Sequence, residues 1–320
     1  MSNYIKYCIA VLLFASISCK KERDCTDYFV HYPSPYEDPV WHPSGKLIGF
    51  NHTPIDKRII DASRKGCSTS DVFTYKEDST GFWLINADGT NQRRVLSYQL
   101  LTPSWSPDGK WIAFSRAGQI VKMPFDGENF DEMKLEILTD GGNNFYPSWS
   151  PDGQWIAYHR SYSAPEPASV MGNWLMDSTG SGRKQFLTGN SGEPAWGENQ
   201  RIYFFRGVNN GIALTVYSQE ADTHSNLGIV PFVISGIKYS TSLNRIGYIG
   251  RGIETIGTDG KETKILSAEN ITSFSWSPEG KIVYTLSGRI NEGTGVLWVM
   301  DAGGTNKKQL TWNKYKTIQH

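Results

Sequence analysis

The stretch PSWSPDGKWIAFSR, residues Pro103–Arg116, returns as PSWSPDGQWIAYHR at Pro147–Arg160 and as SFSWSPEGKIVYTLS at Ser273–Ser287. Weaker copies, PVWHPSGKLIGFNH at Pro39–His52 and PAWGENQRIYFFR at Pro194–Arg206, keep the tryptophan and the apolar strand. A phrase that recurs every few tens of residues marks a stack of one supersecondary unit. Its anchors are Trp41, Trp105, Trp149, Trp196 and Trp276. The interval from Trp196 to Trp276 is nearly double the shorter ones, so a degenerate copy should lie inside it. SGIKYSTSLNRIGYIGR, Ser235–Arg251, keeps the beat there without the tryptophan and makes the sixth unit.

Each unit has a second half, in which a short strand, a Gly-bearing turn and another short strand end near Leu-Thr. Clear examples are Trp83–Ser97, Trp174–Thr188 and Trp298–Thr311, with weaker ones at Val121–Thr139, Leu214–Gly228 and Glu254–Ser267. The Ser-Pro-Asp-Gly turn has a mechanism. Pro presets φ, Asp bonds the backbone onward, and Gly takes the left-handed position. Four antiparallel strands per ~40–45 residues describe a propeller blade. The expected fold is therefore all-β, a six-bladed β-propeller of four-stranded antiparallel blades, with the tryptophans filling space between blades.

The phrase P-x-W-S-P-D-G-K-x-I-A-F, followed by a strand and x-D-A-D-G and then Leu-Thr, resembles the TolB-like family of six-bladed propellers. The resemblance runs from Pro39 to Thr311. It implies either a periplasmic protein that binds partners of the cell envelope or a propeller of the kind attached to peptidases. The residues before Pro39 are too few for the additional N-terminal α/β domain that TolB carries, so a propeller alone is implied.

Lys+Arg and Asp+Glu are both 32 in 320 residues, a balance that argues against nucleic acid as partner. At the N-terminus, Lys6 precedes an apolar run from Cys8 to Ile17. That run is too short to span a bilayer and suits a signal-peptide core. Cys19 after Ser16-Ile17-Ser18 resembles a bacterial lipobox, with Ser16 where leucine is usual. The division that follows is a signal peptide over 1–18, a lipidated tether over 19–38, and the propeller over 39–320. The alternative is a plain secretory signal cut near Ser18. Lipid on Cys19 would anchor the chain stably, since more than one acyl chain is present, at the outer membrane facing the periplasm or the surface. Cys25 and Cys67 then remain as an even pair in an oxidising compartment, and a disulfide between them is expected, against two free thiols. The ring closes either with blade six complete at Gln309–Thr311 or with Asp27–Tyr32 latched onto it as an outer strand.

Function in a repeat fold should sit in what does not repeat. The linkers between second and third strands are long in blade one (Asn51–Phe82), blade three (His159–Asn173) and blade six (Thr285–Leu297). These loops share one face, which is expected to bind something. At the same strand ends stand His52, Arg116, Arg160 and Arg206, with Arg251 one place on in blade five. In a ring they would line a positive mouth suited to carboxylate or phosphate. The competing reading is that each arginine pairs with an acid inside the blades.

The sequence contains no G-x-S-x-G elbow and no H-E-x-x-H pair, so no catalytic residue, metal ligand or cofactor is assigned. The leading expectation is a non-catalytic envelope lipoprotein that docks a protein or peptidoglycan-associated partner. The alternative is a binder of, or enzyme acting on, an anionic saccharide or peptide at the arginine-lined mouth.

Overall fold

The computed structural model describes residues 35–61, 70–288 and 293–319. The signal segment, Cys19, Cys25, Cys67 and Asp27–Tyr32 lie outside the described residues.

Six four-stranded antiparallel sheets follow one another along the chain, each built from consecutive repeat strands. The first comprises Tyr36–Trp41, Leu47–His52, Gly81–Asn86 and Arg93–Leu96. The second comprises Leu101–Trp105, Trp111–Arg116, Gln119–Pro124 and Glu136–Ile137. The third, fourth and fifth start at Asn143, Ala195 and Ser235. The sixth holds Ile271–Trp276, Ile282–Leu286, Leu297–Met300 and Lys308–Gln309, all from its own unit. The fifth sheet sits where the repeat lost its tryptophan, and Ser235–Ser240 pairs with Arg245–Ile249 as the phrase requires.

The motif builds its turn as its chemistry dictates. Ser106 Oγ donates to Asp108 Oδ1 at 2.6 Å and accepts from Trp111 N at 3.0 Å. Lys110 N donates to Asp108 Oδ1 at 3.0 Å, and Gly109 takes φ 70°. Ser150, Asp152 and Gly153 repeat the arrangement. At Gly109 a Cβ would stand 2.5 Å from His42 Nε2 of the preceding sheet, so only glycine permits this close approach of two turns.

Six apolar clusters lie one at each junction between sheets. Phe82 and Leu84 meet Trp105 and Phe114 between the first and second. The last cluster joins Trp41, Ile48 and Phe50 of the first sheet to Val283, Leu297 and Leu310 of the sixth. Each first strand packs on the first strand of the next sheet, and Ile271–Trp276 packs on Tyr36–Trp41. The first strands thus surround a common axis.

A seventh sheet has three strands. The long insertion in the first unit forms a hairpin, Ile55–Asp61 with Ser70–Tyr75, and the C-terminal strand Lys316–Gln319 runs parallel to its first arm. Ile55 and Phe73 pack with Tyr75 and Tyr315 beneath it. The sequence reading marked the insertion but not this pairing, because a parallel contact across most of the chain leaves no local pattern.

Candidate functional site

Four of the six first strands carry a bulge just before their apolar end. The register slips between Glu37 and Val40, Leu101 and Ser104, Phe145 and Ser148, and Ser235 and Lys238. At the slip stand Asp38 (φ 47°), Thr102 (φ 53°), Tyr146 (φ 57°) and Gly236 (φ 76°). The first three each precede a proline, a position that disfavours helical backbone, so the left-handed turn is strained there. Such bulges re-aim side chains next to functional openings. Glu193 holds the same pre-proline place in the fourth unit.

These residues converge. Asp38, Thr102, Tyr146, Glu193 and Lys238 line one cavity of about 260 Å³ around the axis. A second cavity of about 200 Å³ shares four of them and continues to Trp105, Trp149, Trp196 and Trp276. The strands place this opening on the side of the long loops, since Tyr36 pairs with His52 and Asn144 with Arg160 at the second-strand ends.

The electrostatics are unusual for so small a space. Burial pushes the Asp38 carboxyl above the usual carboxylate range, while the Lys238 ammonium and the Asn51 amide, 3.3 Å away, draw it back. Burial likewise raises Glu193, opposed by Lys238 and by the Gly236 N–H at 3.3 Å, and assisted by Asp38. The Tyr146 phenol is raised by burial and by both carboxylates. These ionisable groups therefore feel one another, yet among the described residues neither carboxylate forms a salt bridge and the Lys238 side chain has no ion pair or hydrogen bond.

The residues singled out from sequence take other places. His52 is buried, stacked on Tyr36 with ring centroids 3.9 Å apart, and its Nδ1 lies 2.6 Å from Pro35 O, so it donates there. Burial lowers its pKa to about 4, leaving it uncharged at neutral pH. Arg160 pairs with Glu166 of its own long loop and lies over the Trp174 ring. Arg251 contacts Glu254, three residues on, at 3.4 Å. Arg116 is exposed and rests on the Tyr98 ring, 5.0 Å from its centroid. Arg206 is half-buried on the strand Arg201–Val208. None of the five lines the central cavity.

Sequence reasoning missed Asp38, Tyr146, Glu193 and Lys238. The available signal was the residue before the motif proline, which reads Asp, Thr, Tyr and Glu in successive tryptophan-bearing copies while the phrase around it stays fixed. Among the described residues no group of three or more His, Cys, Asp and Glu could hold a metal ion.

No protein-family model matches the chain, and no curated protein matches it in sequence. Solved structures match the fold. TolB from Acinetobacter baumannii superposes with a TM-score of 0.57 at 18% identity, covering 82% of this chain, which spans 62% of that protein. A putative TolB from Agrobacterium tumefaciens gives 0.55 at 16% identity, covering 74% of this chain and 89% of the other. The β-propeller domain of the Trilobed protease from Pyrococcus furiosus gives 0.51 at 14% identity, covering 87% and 98%.

Proposed function

We propose that this chain, whose fold is similar to those of solved TolB proteins, is a TolB-like propeller that serves as a non-catalytic binding scaffold of the bacterial cell envelope. In this reading the six sheets are the blades of a six-bladed ring, closed by packing of the sixth on the first. Lipid on Cys19 tethers the ring at the outer membrane. A Cys25–Cys67 disulfide ties the tether to the first-blade insertion. The face of long loops docks a protein or peptidoglycan-associated partner.

One observation carries the reading. The residues at and beside the first-strand bulges line one cavity, and its two carboxylates are desolvated by burial and closed by no salt bridge among the described residues. Backbone strain of this kind clusters at ligand clamps and other functional sites. Crosslinking in envelope membranes followed by capture of the Cys19-anchored protein tests this. Recovery of a partner whose crosslinks map to the long-loop face supports the scaffold; recovery of none refutes it.

A second reading retains an anionic saccharide or peptide as ligand of the arginines. It is favoured by Arg116 and Arg206, which have no carboxylate partner among the described residues. Saturable binding of an acidic glycan, lost when both are replaced by methionine, would establish it.

A further inference from the structure

We propose that the axial cavity receives a single cationic side chain, lysine or arginine, from the docked partner, held between Asp38 and Glu193. The proposal rests on the reading of the long-loop face as a docking surface and assigns the chemistry of its centre.

The argument starts from charge. Asp38 comes from the first sheet and Glu193 from the fourth, so the two carboxylates reach the axis from well-separated parts of the ring. Each loses hydration there, and each raises or is raised within the other's field. Their direct partners are neutral and long, the Asn51 amide and the Gly236 N–H, both at 3.3 Å. Lys238 supplies one positive charge nearby but closes no ion pair with either. With both acids ionised the cavity carries one uncompensated negative charge. One ligand cation neutralises it and replaces the lost hydration with charge-assisted hydrogen bonds.

Shape agrees with a side chain rather than a free ion. Tyr146, 37% exposed, presents a ring at the rim, and cations are attracted to aromatic faces. Leu101 and Ile234 stand exposed beside the opening, Ile234 at 63%, offering apolar surface to the flanking residues of a polypeptide. A sequence-derived positive mouth would select an anion; the residues that meet at the axis select the opposite charge.

The test uses the full-length protein and three capped peptides, acetyl-Leu-Lys-Leu amide, acetyl-Leu-Arg-Leu amide and acetyl-Leu-norleucine-Leu amide. Trp105, Trp149, Trp196 and Trp276 line the adjoining cavity, so intrinsic fluorescence reports occupancy. Saturable change is expected with a cationic peptide and none with norleucine, and the lysine and arginine peptides rank ammonium against guanidinium. Asp38→Asn combined with Glu193→Gln should weaken binding by at least about tenfold, and Lys238→Met should tighten it severalfold. A cooperative melting transition no lower than that of the wild type verifies the fold of each variant. Equal response to norleucine, no response to either cationic peptide, or wild-type binding by the folded double variant overturns the proposal. Capture of the same envelope partner by wild type and double variant would sink the cation site and leave the docking surface standing. Peptide binding without any captured partner would do the reverse.

Discussion

The Trp41 backbone N–H donates to Ser275 Oγ at 3.0 Å, joining the first repeat to the last across nearly the whole chain. The Trp196 N–H makes the same bond to Ser148 Oγ, at 3.1 Å, between two sheets adjacent in sequence. Both serines immediately precede the motif tryptophan of their own unit. The junction between sixth and first sheets is therefore chemically an ordinary junction, with Leu310 and Leu297 packed against Trp41 beside it.

That equivalence predicts equal costs. Ser275→Ala and Ser148→Ala each leave one backbone N–H without its acceptor, a loss of about 1 kcal/mol. Urea midpoints of the two variants should shift together. A Ser275→Ala effect much smaller than that of Ser148→Ala would show that the last sheet does not hold the first in solution.

His52 makes stability depend on pH. Its folded pKa, about 4, lies below the unfolded value near 6.5, so the unfolded chain binds the proton more tightly. Stability contributed by the neutral ring is present above pH ~6.5 and is lost as pH falls toward ~4, by about 3 kcal/mol. His52→Gln should flatten that part of the profile in denaturation curves measured between those limits. His42 and His159 are lowered in the same direction and supply the residual slope.

Asp38 and Glu193 have the opposite sign. Their folded carboxyls hold the proton more tightly than the unfolded ones, so the stability they contribute is present at low pH. It is lost as pH rises through the unfolded and then the folded pKa. Asp38→Asn and Glu193→Gln should therefore raise the melting temperature at neutral pH while weakening ligand capture. Asn suits position 38, since it tolerates positive φ. A lowered melting temperature in both would mark these carboxylates as structural.

The C-terminal strand should govern the insertion hairpin alone. Truncation after Asn313 removes Tyr315 and the parallel partner of Ile55–Asp61. Hydrogen exchange should lose protection in Phe73–Tyr75 while Ile112–Met123 keeps it. Simultaneous loss in both would make the C-terminal strand part of the main cooperative unit.

The proposed tether gives two covalent predictions. Cys19→Ala should move the protein from the membrane fraction to the soluble fraction and abolish acyl labelling. Unreduced tryptic digests should contain Cys25 and Cys67 in one linked peptide; two free thiols there would remove the disulfide.

The fold was largely legible because the repeat writes its own geometry. Ser106, Asp108 and Gly109 specify a turn through bonds within five residues, and Ile112–Phe114 specifies the strand after it. Even the fifth unit, without its tryptophan, kept enough of the beat to be placed. The site was much less legible. Arg116, Arg160 and Arg206 share a strand position, but that position recurs outside the axial cavity, and Glu166 takes up Arg160 from a loop no periodicity describes.

By itself, then, the sequence determined the repeated unit, its strand order and the side on which the long loops gather, because these follow from short-range hydrogen bonding and alternation. Only the tertiary structure decided what stands at the centre. Bringing Asp38, Tyr146, Glu193 and Lys238 to one axis requires every intervening sheet to be in place. Their altered proton affinities arise from burial and mutual fields that do not exist until the circle of strands is built.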